Sequence, residues 1–196
     1  MDLAELSNET WDLGNGVEMR LVRESDVDAV LDVVTSNYDH LRTFMEWAKP
    51  DYSRADAAEW VSKATNRESD DKPLNFCIFR YDRMIGTVGF ATFDRDAKVT
   101  EIGYWIAADE QGKGIISRAT EALLDIAFGK IGMNRVQIRC ADQNLRSAAI
   151  PRKFGFTEEG RQRQHVIRDG VVYDFLVFGL LRDEWEQQRK KKGTSS

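Results

Sequence analysis

Two glycines flank a lysine in the stretch IAADEQGKGIIS, residues 106–117, which follows a β-like run and precedes an amphipathic helical pattern. Glycine is unfavourable inside regular structure, but it permits sharp turns and a close approach of the backbone to a ligand. A turn that opens a helix presents N–H groups without internal partners at the positive end of the helix dipole. The pattern therefore predicts an anion site, and phosphate is the usual anion there.

The spacing of these glycines excludes two common phosphate-binding motifs. A P-loop requires G-x-x-x-x-G-K-[ST], which the stretch lacks, and Ser117 stands where the dinucleotide fingerprint G-x-G-x-x-G has its third glycine. The Lys113 side chain either reaches a phosphate or extends into solvent. By itself, the turn Gly112-Lys113-Gly114 is as consistent with a simple tight turn as with a ligand site.

The elements that position this turn follow from the periodicity of the apolar residues. Strand patterns cover residues 17–23, 74–94, 98–107, 134–141 and 160–181, and helical patterns cover 25–37, 38–50, 53–67, 114–129, 144–155 and 182–192. Asn144 is a predicted helix N-cap, and Gly129 or Gly132 ends the helix that follows the turn. The polar stretch ESDDKP, residues 68–73, is predicted to be a loop. The predicted order is one strand, three helices, a meander of three strands, helix, strand, helix, two strands and a last helix.

Composition limits the classes of protein that the chain can belong to. The 196 residues are 42% hydrophobic and 31% charged, which predicts one domain over 1–196, with a core at about 10–182 and a polar C-terminal helix and tail at 183–196. No apolar run approaches the ~20 residues of a membrane helix, and the N-terminus lacks a secretory signal pattern. We therefore expect a cytoplasmic protein that does not bind a membrane.

Charge and cysteine content narrow the expected partners. The net charge of −5 disfavours free nucleic acid as a partner, and the basic tail RKKKGTSS is expected to be a solubilising end. Cys77 and Cys140 are far apart in β-patterned runs, so reduced thiols are expected. Two histidines without a Cys/His cluster give no basis for a transition-metal site.

Several ordered motifs resemble those of the GNAT N-acetyltransferase superfamily, specifically its RimJ/RimL-like ribosomal-protein branch. The resemblance is carried by TEIGYWIAADEQGKGIISRATEALLDIAF, NRVQIRCADQNLRSAAIPRKFGF and EEG. MRLVRESDVDAVLDVV and HLRTFMEWA resemble the opening strand and acceptor-side helices of that branch, and RDGVVYDFLVFGL resembles its closing hairpin. The resemblance covers nearly the whole chain. It implies an α/β (α+β) GNAT fold whose mixed, mostly antiparallel sheet of about seven strands is splayed between strands four and five and flanked by helices.

The resemblance also implies acetyl-CoA as co-substrate and a set of residues that bind it. Backbone N–H groups would hold the pyrophosphate, and these come from Gln111, Gly112, Lys113, Gly114, Ile115 and Ile116. The pantetheine arm would pair with exposed strand backbone at Tyr104, Trp105, Ile106 and Ala107. Gly103 would permit a bulge there, and Asn144 would hydrogen-bond the pantetheine in addition to capping its helix. One departure is Asp109, which stands where the superfamily pattern R/Q-x-x-G-x-G/A begins and cannot assist an anion.

Acetyl transfer requires a neutral amine, a stabilised oxyanion and a protonated leaving thiolate. Glu101 occupies the position that resembles the strand-four glutamate base of related histone acetyltransferases, although an exposed glutamate paired across the sheet would look the same in sequence. His165 and a water chain are the alternative bases. In many GNAT enzymes a tyrosine protonates the leaving thiolate, and this chain has Pro151 at the position that matches it. In RimL-like members a serine takes the role of the acid, and Ser147 matches that serine.

Ser147 has a purely structural alternative, which is to bond back to its own helix. Cys140 would lie near the CoA sulfur in the RimL-like arrangement, but a buried cysteine that acts as a small hydrophobe explains it as well. The acceptor groove would be lined by the early helices and the last hairpin, which makes Tyr38, Phe44, Trp47 and Trp60 candidates.

The sequence leaves several functions open. The first is transfer of an acetyl group to the α-amino group of a protein, most simply a ribosomal protein, and a variant of it acetylates a polyamine, amino acid or aminoglycoside. The others are a non-catalytic acyl-CoA-binding sensor and a nucleotide-phosphate module. Association into a homodimer through the apolar stretch VVYDFLVFGL is a further expectation from the resemblance.

Overall fold

The computed structural model describes residues 6, 8–66, 72–168 and 170–193. This part of the chain forms eight strands. They are β1 (Thr10–Gly14), β2 (Val17–Leu21), β3 (Leu74–Arg80), β4 (Arg83–Asp94), β5 (Val99–Ile106), β6 (Arg135–Ala141), β7 (Thr157–Arg168) and β8 (Val171–Leu181).

Six α-helices connect or flank the strands in the described residues. They are α1 (Val27–Ser36), α2 (Tyr38–Leu41), α3 (Arg54–Thr65), α4 (Ile115–Asp125), α5 (Leu145–Lys153) and α6 (Arg182–Gly193). Short 3-10 helices at Glu24–Asp26 and Ala108–Glu110 precede α1 and the glycine turn. None of the described helices combines the length and the apolar character that crossing a membrane would require.

The strands form one sheet in the order β1-β2-β3-β4-β5-β6-β8-β7. Every neighbouring pair is antiparallel except β5 and β6, which pair in parallel at only three positions, Val99 with Arg135, Thr100 with Val136 and Glu101 with Gln137. Beyond Glu101 the two strands separate. The predicted splay is therefore confirmed, and the predicted strands four and five correspond to β5 and β6.

Alternating side chains give the sheet two apolar faces, and each face is covered by helices. On one face Ile102, Val136 and Phe178 pack with α4 and α5 in the larger buried cluster. On the other face Cys77 and Phe79 pack with α1 and α3 in a second cluster. The separation of β5 from β6 thus leaves an opening between two packed layers.

The sheet has one strand more than the sequence predicted. The missed strand, β1, forms a hairpin with β2 through Asn15 and Gly16, whose φ angles are 57° and 70°. An Asn-Gly pair with two positive φ angles is the strongest short hairpin signal, because its twist matches that of the strands. The hairpin was missed because TWDLG is short and half of it is polar.

Other predicted boundaries also need correction. The helix predicted over 38–50 ends at Leu41, and turns follow it. Of the two predicted ends of the helix after the glycine turn, Gly132 is confirmed: the helix continues past Gly129 as a π-helical segment, Ile126–Ile131, and Gly132 follows it with a φ of 85°. The bulge predicted at Gly103 lies instead in β4, where the register shifts between Phe90 and Thr92. Most of the predicted loop 68–73 and the end of the basic tail lie outside the described residues.

Candidate active site

The glycine turn joins the 3-10 helix Ala108–Glu110 to α4. Gly112 and Gly114 have left-handed backbone conformations with φ of 74° and 71°, which cost a residue with a side chain roughly 1–2 kcal/mol. Gly114 is the N-cap of α4, and no side chain caps this helix end. In the described chain, no heavy atom beyond the neighbouring residues lies within 4 Å of the place where a Cβ of Gly112 would be. The turn thus combines open space with helix N–H groups available to an anion.

A buried carboxylate, Glu110, lies next to the turn and forms hydrogen bonds with three cationic side chains. Glu110 is 3% exposed and receives hydrogen bonds from Arg80 at 2.9 Å, Arg83 at 3.0 Å and Lys113 at 3.1 Å. Burial alone would raise the pKa of Glu110, but the hydrogen bonds from Arg80 and Lys113 outweigh it and lower the pKa. Asp109, the residue that departs from the family pattern, is paired with Arg83 at 2.8 Å. Arg83 therefore pairs with both acids, and Arg80 and Lys113 add two further cations at Glu110.

The side-chain amide of Gln111 forms hydrogen bonds with two other parts of the chain. Its Nε2 lies 2.9 Å from Nε2 of His40, and Arg146, in the first turn of α5, donates to its Oε1. The Gln111 backbone N–H donates to the Ala108 carbonyl at 3.4 Å. Arg146 was not predicted from the sequence. It brings a cation beside the turn, because β5 and β6 are parallel and lead into α4 and α5 at the same end of the sheet.

The separation of β5 from β6 leaves part of the β5 backbone without a strand partner. Ala107 donates its N–H to Ile85 of β4 at 2.7 Å, and in an antiparallel ladder the hydrogen-bonded residues alternate. The backbone groups of Trp105 therefore also point at β4, whereas those of Tyr104 and Ile106 point into the gap. The gap can accept an extended chain that pairs with these two residues.

The gap opens into a cleft of about 310 Å³ that reaches both faces of the sheet. Thr87, Trp105 and Arg139 line it on the face covered by α1 and α3, while Tyr104 and Ser147 line it beside α5. A molecule held in the gap is therefore accessible to side chains from both layers.

Glu101 is the last residue of β5 that pairs with β6. Both of its carboxylate oxygens accept from Nε of Arg139, at 3.1 and 3.0 Å, and Gln137 approaches at 3.5 Å. The side chain is 17% exposed, and strand alternation places it on the same face as Trp105. Arg139 was not predicted, although it is the one charged residue in the strand-patterned run VQIRCA, which was a visible signal. The structure places Glu101 at the base of the splay as a paired carboxylate. Glu101 is not among the residues that line the cleft, but its neighbour Ile102 and its partner Arg139 are.

Ser147 and Asn144 lie at the start of α5, on the other wall of the cleft. The Asn144 side chain accepts from the Ser147 N–H at 3.1 Å, so the predicted N-cap is confirmed. The Ser147 hydroxyl lies 3.3 Å from the Tyr104 hydroxyl, which in turn donates to the Ser147 carbonyl at 3.0 Å. In the described residues the Ser147 hydroxyl thus bonds across the cleft, where the alternative was a bond to its own helix. The role of the Tyr104 side chain was not predicted.

The two other reactive candidates, Cys140 and His165, lie in different places: Cys140 lines the cleft and His165 does not. Cys140 lines the cleft beside Ser147 and is 5% exposed. Burial raises the pKa of its thiol, which keeps it neutral at pH 7. His165, the alternative base, is exposed on β7 and stacks on Phe175 with ring centroids 4.6 Å apart. Phe175 lines the cleft, whereas His165 lies outside it.

Aromatic side chains form the wall of the cleft on the face covered by α1 and α3. The Trp47 and Trp105 ring centroids are 5.7 Å apart, and Phe44, Trp60 and Phe175 complete the wall. Of the four aromatic candidates, Tyr38 is the one that does not line the cleft. Trp47 is 42% exposed, so part of this wall is open to a ligand that arrives from solvent.

Known proteins are similar to this chain in sequence and in fold. Residues 17–157 match the acetyltransferase (GNAT) domain family. The chain is 28% identical over 175 residues to the ribosomal-protein-serine acetyltransferase of Escherichia coli (strain K12), covering 89% of this chain and 98% of that protein.

Two solved structures extend the similarity to three dimensions. One is RimL, a ribosomal L7/L12 α-N-protein acetyltransferase in complex with coenzyme A, with a TM-score of 0.83, 25% identity and coverage of 90% of this chain and 99% of that one. The other is an acetyltransferase from Salmonella typhimurium that modifies the N-terminal serine of ribosomal protein L7/L12, with a TM-score of 0.78, 25% identity and coverage of 88% and 99%.

The family match covers most of the chain, and the similar RimL structure was solved with coenzyme A bound. The chain belongs to the GNAT acetyltransferase family and is an acetyl-CoA-dependent N-acetyltransferase.

Proposed function

We propose that the diphosphate of acetyl-CoA binds at the glycine turn and that the pantetheine arm lies in the gap between β5 and β6. The observation that carries this proposal is the end of β5–β6 pairing at Glu101, a few residues before the uncapped N-terminus of α4. The backbone N–H groups from Gly112 to Ile116 bind the diphosphate. Tyr104 and Ile106 pair with the pantetheine, and Asn144 stands at the opposite wall. Arg146 adds a cation beside the phosphates.

In this arrangement the chemistry is a direct transfer within one ternary complex. The amine nitrogen attacks the thioester carbonyl, a C–N bond forms, and the C–S bond breaks with its electron pair on sulfur. Glu101 accepts the proton that the attacking ammonium must lose, directly or through one water, because a free alkyl amine is almost fully protonated at neutral pH. The Ser147 hydroxyl turns its hydrogen from the Tyr104 oxygen to the departing thiolate as a hydrogen bond, and the thiolate takes up the second proton that the nitrogen loses as the C–N bond forms.

The acceptor that the cleft favours is the N-terminal α-amino group of a protein, with a ribosomal protein as the first candidate. All three relatives described above are named for ribosomal proteins. No aspartate or glutamate is among the described residues that line the cleft, so a polyamine or an aminoglycoside would find no counter-charge for its other cations. The Asn75 amide and the Thr87 hydroxyl lie in the lining among aromatic side chains, and neutral polar groups suit a peptide backbone.

Mass spectrometry of a ribosome-containing lysate incubated with the protein and isotope-labelled acetyl-CoA tests this acceptor. We expect the label on the α-amino group of one or a few protein N-termini, and none in a matched lysate without the protein. In a parallel assay, spermidine and an aminoglycoside should be acetylated at least 100-fold more slowly than a peptide with the identified N-terminus. Label that appears chiefly on small amines would contradict the proposal.

A homodimer and a cytoplasmic location are part of the same proposal. At the tip of the β7–β8 hairpin, Ile167 is 66% exposed and Val171 and Val172 are each 44% exposed, which supports association through this hairpin. Light scattering should give twice the chain mass of 22.4 kDa, and Val171→Glu should return the protein to a single chain. A wild-type protein of single-chain mass would exclude the dimer. Cell fractionation should place the protein with the ribosomal proteins.

A further inference from the structure

Pro151 removes a hydrogen bond from the middle of α5. In an α-helix, the carbonyl of Ser147 accepts from the N–H four residues later, and that residue is Pro151, which has no N–H. A carbonyl left without a donor in a largely buried place is unfavourable. The helix nevertheless continues from Leu145 to Lys153, so another donor must compensate at Ser147.

The compensating donor comes from β5, on the opposite side of the gap from α5. The Tyr104 hydroxyl on β5 donates to the Ser147 carbonyl at 3.0 Å and accepts from the Ser147 hydroxyl at 3.3 Å. The carbonyl and the hydroxyl of Ser147 therefore both form hydrogen bonds with the same phenol. Burial raises the pKa of Tyr104, so this phenol remains a donor at neutral pH.

We propose that Tyr104 is a positioning residue for acetyl transfer: its hydroxyl replaces the N–H that Pro151 lacks and so fixes the place of the Ser147 hydroxyl in the cleft. The inference rests on the proposed role of Ser147. It gives a physical reason for a proline at the position where related enzymes have a tyrosine. A phenol reaches the same region from β5, and the proline leaves a carbonyl free to bind it.

A double-mutant cycle between Tyr104→Phe and Pro151→Ala tests the hydrogen bond independently of activity. In the wild-type background, loss of the hydroxyl should lower Tm by about 2–4 °C, the shift expected for one hydrogen bond in a domain of this size. Alanine at 151 returns an N–H to the Ser147 carbonyl, so in that background the same loss should be less than half as large. Equal losses in both backgrounds would overturn the inference.

Kinetics test the positioning role. Tyr104→Phe should lower kcat about 10-fold with the KM for acetyl-CoA changed less than about 2-fold, because one hydrogen bond near the reacting sulfur is lost. Pro151→Ala should restore most of that loss, and in a Ser147→Ala background Tyr104→Phe should cost less than about 2-fold. Tyr81→Phe, at an exposed tyrosine in the β3–β4 turn, is the matched control.

Two outcomes separate this inference from the proposed function. A full Tyr104→Phe loss in the Ser147→Ala background would show that the phenol does not act through Ser147, and the inference would be abandoned while the transferase remained. If Ser147→Ala itself leaves kcat unchanged, the proposed chemistry of Ser147 fails, and the positioning role fails with it. The unfolding cycle then still decides whether Tyr104 replaces the missing N–H.

Discussion

Glu101→Gln is expected to lower kcat by about 100- to 1,000-fold while the affinity for acetyl-CoA stays within about 2-fold of wild type. Glutamine keeps the size of the side chain and an oxygen that accepts from Arg139, but it cannot take a proton from the attacking ammonium. Coenzyme binding should persist because the proposed diphosphate and pantetheine contacts do not involve Glu101. Steady-state kinetics with a saturating peptide acceptor, together with calorimetric titration of acetyl-CoA, measure the two effects separately.

The matched control is Glu159→Gln. Glu159 is also a strand glutamate paired with an arginine, Arg135, but it lies on β7, which pairs with β8, and not at the point where β5 and β6 separate. Its replacement should leave kcat within about 2-fold. If Glu101→Gln behaved like this control, Glu101 would be a structural ion-pair partner, and His165 or a water chain would have to supply the base.

Replacing both Gly112 and Gly114 by alanine should weaken acetyl-CoA binding by about 100-fold. Each glycine has a left-handed conformation that costs an alanine roughly 1–2 kcal/mol, and every 1.4 kcal/mol is a factor of ten in affinity. If the turn relaxes to relieve that strain, the N–H groups that begin α4 no longer converge. A methyl group added at Gly112 enters the open space beside the turn, and one added at Gly114 meets the Arg118 guanidinium at 3.2 Å. Calorimetric titration of acetyl-CoA measures the change in Kd.

Gly170→Ala controls for backbone strain alone. Gly170 has a comparable φ of 77° and open space around it, but it lies at the tip of the β7–β8 hairpin. Its replacement should lower stability without changing the Kd for acetyl-CoA. Equal Kd values for the double variant and the wild type would mean that the diphosphate binds elsewhere.

Much of the fold follows from local pattern, since long periodic stretches are insensitive to their surroundings. The β4–β5 meander, the helix after the glycine turn and the capped helix at Asn144 were all predicted for this reason. Short elements were the exception. β1 has five residues with polar positions. The stretch after Leu41 has helical spacing but forms turns, because the packing of Phe44 and Trp47 in the aromatic wall competes with helix propensity.

Contacts across the splay could not be predicted. That Arg139 meets Glu101 depends on the three-residue parallel register of β5 with β6, which the sequence of neither strand specifies. That the Tyr104 hydroxyl reaches Ser147 depends on the width of the gap. The roles of Glu101 and Ser147 came from the resemblance to a family, whereas their hydrogen-bond partners come only from tertiary structure. The prediction that residues 104–107 all pair with the pantetheine did not take account of the alternation of hydrogen bonds in an antiparallel ladder. Because of this alternation, the backbone groups of Trp105 and Ala107 point at β4, and only Tyr104 and Ile106 face the gap.

The most direct test is a crystal structure of the protein with coenzyme A. The diphosphate oxygens should lie within hydrogen-bonding distance of the N–H groups from Gly112 to Ile116, with the pantetheine amides paired to Tyr104 and Ile106 and the sulfur beside Ser147. A coenzyme that binds outside the gap, or a β6 strand that closes against β5 and fills it, would contradict the proposed site.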